Sequence, residues 1–218
     1  MIRLAVFDCD GTLIDSQANI CLAMEEAFAQ SGIVAPTRAS IRRIVGLSLV
    51  EAVAALLPDA EDALHAHVAA DYKRAFQGMR ARGQVDEPLF EGIAELLDAL
   101  RDGGWLLGVA TGKSDRGLAH VLDHHGLTGH FVSLQTADRH PSKPHPSMLQ
   151  TAMAEAGADP LDTVVIGDTS FDIAMALNAR TRAVGVTWGY HDSADLVRAG
   201  AHAIARRPAD LVALLEVA

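Results

Sequence analysis

Aromatic residues make up only 5% of this 218-residue chain, and its lysines are just Lys73, Lys113 and Lys143. Cysteine is scarcer still, with Cys9 and Cys21 alone. One sits between two acids and the other in an expected helix, so a disulfide framework is not implied. Cys9 has no histidine near it in sequence to take its proton, which argues against a nucleophilic thiol. Basic charge is also short: Lys and Arg total 18 against 28 Asp and Glu, a formal net charge of −10. No Lys/Arg cluster offers a stripe for a phosphate backbone, so nucleic acid is not an expected partner. An acidic surface does not forbid a small anionic substrate, because a metal ion and one well-placed lysine reverse the field locally. No apolar run is long enough to span a membrane, and no charged leader precedes the first expected strand. A cytoplasmic protein with no membrane partner is therefore expected. There is no internal repeat and no low-complexity segment.

What the chain does have is a hydrophobic half, dominated by Ala, Leu and Val, which suits helices packed on a β-branched sheet. Leu4 to Phe7 is a short apolar run, suited to a strand buried on both faces. From Ser16 the period changes. Ile20, Met24 and Phe28 recur every four residues, and Gly32 closes that helix. Further helices are expected over 37–46, from Ser48 (with Glu51 at capping-box spacing) to Pro58, and over 59–82. From Pro88 onwards helices alternate with strands. Helices are expected over 88–100, 115–125, 143–157, 171–179 and 194–199, with a last one from Pro208. Strands are expected over 105–110, 131–134, 163–166 and 183–186, with a short one near Ala203. The fold class is α/β, a doubly wound parallel sheet with a small all-helical domain inserted after the first strand. The expected domains are 1–16 with 85–218 for the core, and 17–84 for the insert.

The chemistry gathers where strands end, because ligands of open α/β sheets bind at the carboxyl ends of strands. The first strand runs into Asp8 and Asp10, then Gly11 and Thr12. Two carboxylates this close repel unless a cation neutralises them or one keeps a proton. A divalent metal on one and an acid–base role for the other would satisfy both. Thr111 ends the second core strand, and its hydroxyl beside the N–H of Gly112 can hold phosphate oxygens. Equally, such a Thr can cap the next helix. Gly112-Lys113-Ser114 resembles the end of a P-loop, but Leu107 stands where that loop needs glycine. Lys143, expected at a helix start, can bind phosphate and offset the carboxylates. Asp168 ends a strand, and Asp172 follows four residues on, able to ligate through water, hold Lys143 or cap the helix. Oxygen-only ligands suit Mg²⁺ rather than Zn²⁺.

Four stretches stand in a telling order: Asp-Cys-Asp-Gly-Thr at 8–12, a hydrophobic strand ending at Thr111, Lys143-Pro144, and Gly-Asp-x-x-x-Asp at 167–172. Together they resemble the four motifs of the haloacid dehalogenase-like (HAD) hydrolases, subfamily I, along the whole chain. The helical insert falls where that family has its C1 cap. Gly92 in Phe-Glu-Gly-Ile, Gly-Lys-Ser after Thr111 and Ser-Lys-Pro-His-Pro are similar to the phosphoglycolate-phosphatase-like subgroup. The resemblance implies a Rossmannoid core and Mg²⁺-dependent phosphomonoester hydrolysis of a small phosphorylated metabolite such as 2-phosphoglycolate. It implies Asp8 as nucleophile, forming an aspartyl-phosphate, and Asp10 as acid and base. It implies Mg²⁺ on Asp8, the Asp10 carbonyl and Asp168, with Asp172 supporting, and phosphoryl oxygens held by Thr111, Gly112 and Lys143. A substrate carboxylate would meet an arginine at the turn between two insert helices, Arg42 or Arg43 beside Gly46 and Ser48. Alternatives are a β-phosphoglucomutase-like mutase, which carries a His where Ile20 stands here, and a non-catalytic phosphoryl-binding regulator. A monomer or homodimer is expected.

Overall fold

In the computed structural model, which describes residues 2–216, strand β1 (Arg3–Phe7) is buried along almost its whole length. Ala5 and Phe7 pack into one core cluster, Leu4 and Val6 into another. That is the period-two alternation of a strand covered on both faces. Strands β2 (Trp105–Thr111), β3 (Ser133–Thr136), β4 (Thr163–Gly167), β5 (Arg182–Val186) and β6 (Ala203–Ala205) join it in one sheet of order β3-β2-β1-β4-β5-β6. Every pairing is parallel. The chain winds outward from β1 to β3, then returns to lay β4 on the other side of β1. The order reverses between β1 and β4, and at such a switch point the strand ends leave a crevice.

Four helices follow β1: α1 (Gln17–Gln30), α2 (Arg38–Arg42), α3 (Leu49–Leu56) and α4 (Asp62–Ala81). No strand interrupts them. They pack on one another around Ile20, Met24, Phe28, Ile41, Val53 and Val68, the first three on one helix face at the four-residue spacing. Six helices then alternate with the strands: α5 (Ile93–Asp102), α6 (Asp115–His124), α7 (Ser147–Ala156), α8 (Ser170–Asn178), α9 (Ser193–Ala199) and α10 (Asp210–Glu216). Side chains of α5, α6 and α10 enter the cluster on one face of the sheet, and those of α7, α8 and α9 the cluster on the other. The expected doubly wound α/β sheet is what forms. The outermost residues of the expected core, 1, 217 and 218, lie outside the described residues. No helix among those described is long and apolar enough to cross a membrane.

Several boundaries differ from expectation, for tertiary reasons. The helix expected from Pro88 begins at Ile93, because residues 88–90 pair with the chain leaving β1. Asp15 N–H donates to Pro88 O (2.9 Å), Phe90 N–H to Leu13 O (3.0 Å), and Ile14 bridges Leu89. The two connections between the sheet and helices α1–α4 are thereby tied together. The helix expected over 37–46 stops at Arg42, where the chain tightens into turns (Ile44 N–H to Ile41 O, 3.2 Å; Val45 N–H to Arg42 O, 3.3 Å) before Gly46 takes φ +101°. Ser48 spends its hydroxyl on the Glu51 carboxylate rather than on a backbone N–H. The helix expected from Lys143 starts at Ser147, so Lys143 lies in the preceding loop and its partners are side chains, not a helix dipole.

Candidate active site

The parallel register places the ends of β2, β1 and β4 side by side, and with them Thr111, Asp8, Asp10 and Asp168. After β1 the Cys9 carbonyl accepts N–H groups from Thr12 (3.3 Å), Leu13 (2.9 Å) and Ile14 (3.1 Å), folding the chain into a tight loop. Gly11 adopts φ +90°, and a Cβ there would lie 2.3 Å from Asp168 Oδ2. Only glycine lets this loop close on the Asp168 carboxylate. The Cys9 thiol is fully buried and burial raises its pKa well above the ordinary value, as befits an inert packing residue.

Asp8, Asp168 and Asp172 form a buried carboxylate cluster, with one oxygen of each within 4.8 Å of the others. Their partners are unequal. Lys143 Nζ, with none of its side chain exposed, donates to Asp8 Oδ1 (2.7 Å) and to Asp172 Oδ1 (2.7 Å). The other oxygen of Asp172 accepts from the Thr169 hydroxyl (2.7 Å) and N–H (3.1 Å), completing a capping box on α8. Asp172 therefore both holds Lys143 and caps the helix, two of the roles open to it. Asp168 accepts from the Thr12 hydroxyl (2.9 Å) and from the Tyr190 N–H (2.8 Å). Of the carboxylate oxygens in this cluster, Asp8 Oδ2 is the one buried with no partner.

That imbalance sets the electrostatics. Burial pushes Asp8 up to about 7, the Asp172 and Asp10 charges add to the rise, and Lys143 opposes it. Asp168 is raised well above the carboxylate range by burial, then by Asp8 and Asp172. Lys143 stays charged: burial lowers its pKa, but Asp172 and Asp8 outweigh this and raise it. Three acids around one lysine leave a deficit of positive charge at the orphaned Asp8 oxygen. An all-oxygen donor set with such a deficit fits a hard divalent cation.

Asp10 is held quite differently. Its Oδ1 accepts from Lys113 Nζ (2.6 Å) and from the Ser16 hydroxyl. Lys113 also donates to Glu87 Oε1 (2.9 Å), and Glu87 Oε2 accepts from the Arg80 guanidinium (3.0 Å). The Lys113 pKa is lowered by burial but raised more by Asp10 and Glu87, so it too stays cationic. No motif spacing assigns Lys113 or Glu87 a role, although Lys113 stands two residues after Thr111 and is one of few lysines. Nothing local marks Glu87. Thr111 Oγ1 accepts from the Lys113 N–H (3.1 Å), while Ser114 caps α6, so Thr111 is not that helix's cap and stays at the strand end.

These residues open on a cavity of about 720 Å³, roofed by α1, α3, α4 and the loop at 44–48. Asp8, Asp10, Thr111, Gly112 and Gly46 line it. A Cβ on Gly112 would lie 2.5 Å from the Leu47 carbonyl oxygen, so that loop rests directly on the Gly112 turn. Ser48 N–H donates to the Ser142 hydroxyl (2.9 Å) beside Lys143. Arg43 stands elsewhere: it is 68% exposed, 3.4 Å from Asp195 Oδ2, in a separate shallow groove. Arg42 donates to Gln17 (3.1 Å) and does not line the cavity. Neither arginine of this turn lines the cavity in this structure; the loop lines it with Val45, Gly46 and Leu47 instead.

A family model described as haloacid dehalogenase-like hydrolase matches residues 5–186. The probable phosphatase IndB of Dickeya dadantii is 35% identical over 199 residues, covering 90% of this chain and 86% of its own. A phosphoglycolate phosphatase of Agrobacterium fabrum is 31% identical over 198 residues, covering 87% and 82%. Among solved structures, a predicted phosphatase from Clostridium acetobutylicum superposes with a TM-score of 0.87 at 27% identity, covering 99% of each chain. The strand-end carboxylates, the match along most of the chain and the phosphatase relatives agree: the chain belongs to the haloacid dehalogenase-like hydrolases and is a phosphatase of that family.

Proposed function

We propose that the protein is a Mg²⁺-dependent hydrolase of a small phosphorylated metabolite, working through a phosphoenzyme on Asp8. The observation that carries this reading is the buried Asp8 Oδ2 with no hydrogen-bond partner, beside a lysine-held twin oxygen. Asp8 and Asp168 would hold the ion, with the Asp10 carbonyl, while Asp172 holds Lys143. When bound, the ion offsets the charge of the carboxylates and of the phosphoryl oxygens.

One Asp8 oxygen attacks phosphorus, and the bond from phosphorus to the substrate alcohol breaks. Asp10 gives its proton to the departing alkoxide. Asp10, now ionised, takes a proton from water as that water attacks the same phosphorus. The acyl-phosphate bond breaks, inorganic phosphate leaves and Asp8 is restored. The Thr111 hydroxyl, the Gly112 N–H and Lys143 meet the phosphoryl oxygens as charge develops. Lys113 and Ser16 hold the Asp10 carboxylate where it must face the leaving oxygen. Residues 17–84 act as the cap that shuts water out. Its Ile20 offers no acid–base group for mutase chemistry, so hydrolysis is the favoured outcome.

Relatives named phosphoglycolate phosphatase make 2-phosphoglycolate the first substrate to test. Phosphate release from a panel of phosphomonoesters, with Mg²⁺ and with chelator, tests the reading. Intact-mass measurement of Asp10→Asn with 4-nitrophenyl phosphate, whose leaving group departs without an acid, should show one added phosphoryl group, absent from Asp8→Asn. Phosphate release that persists in Asp8→Asn would exclude the phosphoenzyme.

A further inference from the structure

The cavity is larger than a two-carbon acid fills, and the buried cations around it already hold carboxylates. Lys143 is held by Asp8 and Asp172, Lys113 by Asp10 and Glu87, and Arg80 by Glu87. Arg42 and Arg43 face away from it. Lys73 and Arg116 line only its exposed rim. Arg80 keeps one buried N–H, at Nε, without a partner, but a carboxylate carried next to the reacting phosphate would meet no buried cation that lacks a carboxylate of its own. It would also lie near Asp10 and Glu87, whose charges are balanced without it.

Around the remaining space stand Ile20 and Met24 of α1, Val45 and Leu47 of the roof loop, and Tyr72 and Phe76 of α4. The Tyr72 and Phe76 rings lie 5.9 Å apart on one helix face, and the Arg80 guanidinium stacks 5.2 Å over the Phe76 ring. A cavity of about 720 Å³ matches the usual size for a ring-bearing ligand held mainly by apolar contact.

We infer that the alcohol released by this enzyme is uncharged, largely apolar and bulkier than a two-carbon acid, seated between the α1 face and the Tyr72–Phe76 face. This rests on the hydrolase reading and deepens it. The phosphate is gripped by the core residues, and the alcohol is selected by apolar burial under the roof.

The test compares kcat/KM for 2-phenylethyl phosphate, ethyl phosphate and 2-phosphoglycolate, all alkyl esters, with 4-nitrophenyl phosphate as an activated control and Mg²⁺ present throughout. The phenylethyl ester should exceed each small ester by about ten-fold or more. Equal or faster turnover of 2-phosphoglycolate or ethyl phosphate, with the control active, overturns this inference and leaves the phosphatase intact. No phosphate from any ester, the control included, overturns the hydrolase reading and this inference together. In Phe76→Ala the phenylethyl-to-ethyl ratio should fall about ten-fold, with the change chiefly in KM, and Phe76→Leu should retain most of it. A ratio unmoved in both variants also overturns the inference. If Phe76→Ala fails to fold, the wild-type panel and Phe76→Leu still decide it.

Discussion

The floor and the roof of the cavity are built on opposite principles. On the floor, Asp8, Asp168, Asp172 and Lys143 are buried; strand register brings the β1 and β4 ends together, and the capping box of α8 and the Lys143 ion pairs fix the rest. On the roof, Ile20, Met24, Tyr72 and Phe76 come from two helices that pack among themselves and touch the sheet through loops. Charged chemistry demands fixed geometry, because a misplaced buried charge costs several kcal/mol. Apolar selection tolerates exchange of side chains of similar volume. The floor should therefore be brittle to substitution, and the roof adjustable.

The largest expected effect is on the floor. Asp8→Asn should lower kcat by at least about 10⁴-fold if Asp8 is the proposed nucleophile. Measured in chelator, its melting temperature should be no lower than wild type, because the substitution removes a buried anion whose Oδ2 has no partner. A variant that unfolds would show that Asp8 is structural as well.

Lys113 comes next, at the seam between floor and roof. Lys113→Met should lower kcat by about 10²–10³-fold with a smaller change in KM, because Asp10 loses its positioning partner. It should also destabilise the fold by about 3–5 kcal/mol, since two buried carboxylates are left without their cation. Lys113→Arg should recover part of kcat. Equal loss from Met and Arg, with stability unchanged, would dissolve the link between Lys113 and Asp10.

A third effect separates the floor from everything else by pH. In chelator the folded state holds the Asp8 proton up to about 7, against an ordinary 3.8. The folded state therefore binds protons more tightly than the unfolded chain, so this contribution is present below 3.8 and is lost as pH rises to about 7. Melting temperature in chelator should fall across that window relative to the same protein in Mg²⁺, whose binding favours the ionised carboxylates. Parallel curves with and without the ion would place Mg²⁺ elsewhere.

The smallest effect is expected outside both regions. Arg43→Ala should change kcat/KM by less than about two-fold and stability by at most about 1 kcal/mol, as for an exposed pair. A large loss of activity would return Arg43 to the substrate.

Much of the floor was legible in the sequence. Asp8, Asp10, Thr111, Gly112, Asp168 and Asp172 each follow an apolar run or a turn signal, and local spacing marks such positions. Lys143 was legible as a residue but not as a neighbour: its expected helix start proved to be a loop, and its partner Asp8 lies 135 positions away. The roof was legible only as helices. Which face of each helix looks into the cavity depends on packing between distant elements, so nothing local marks Phe76 of α4 as lining it or Arg43 as standing outside it.

By itself the sequence determined the alternation of strands and helices, the acids at the strand ends and the helical run from Gln17 to Ala81, because periodicity, turn chemistry and capping act over a few residues. Only the tertiary structure decided which charges neutralise which. Lys113 meets Asp10 across 103 positions, Arg80 meets Glu87, and Asp8 is left with one bare oxygen. Coulomb energy and burial depend on distance in space, and that distance exists only once the sheet has brought the strand ends together.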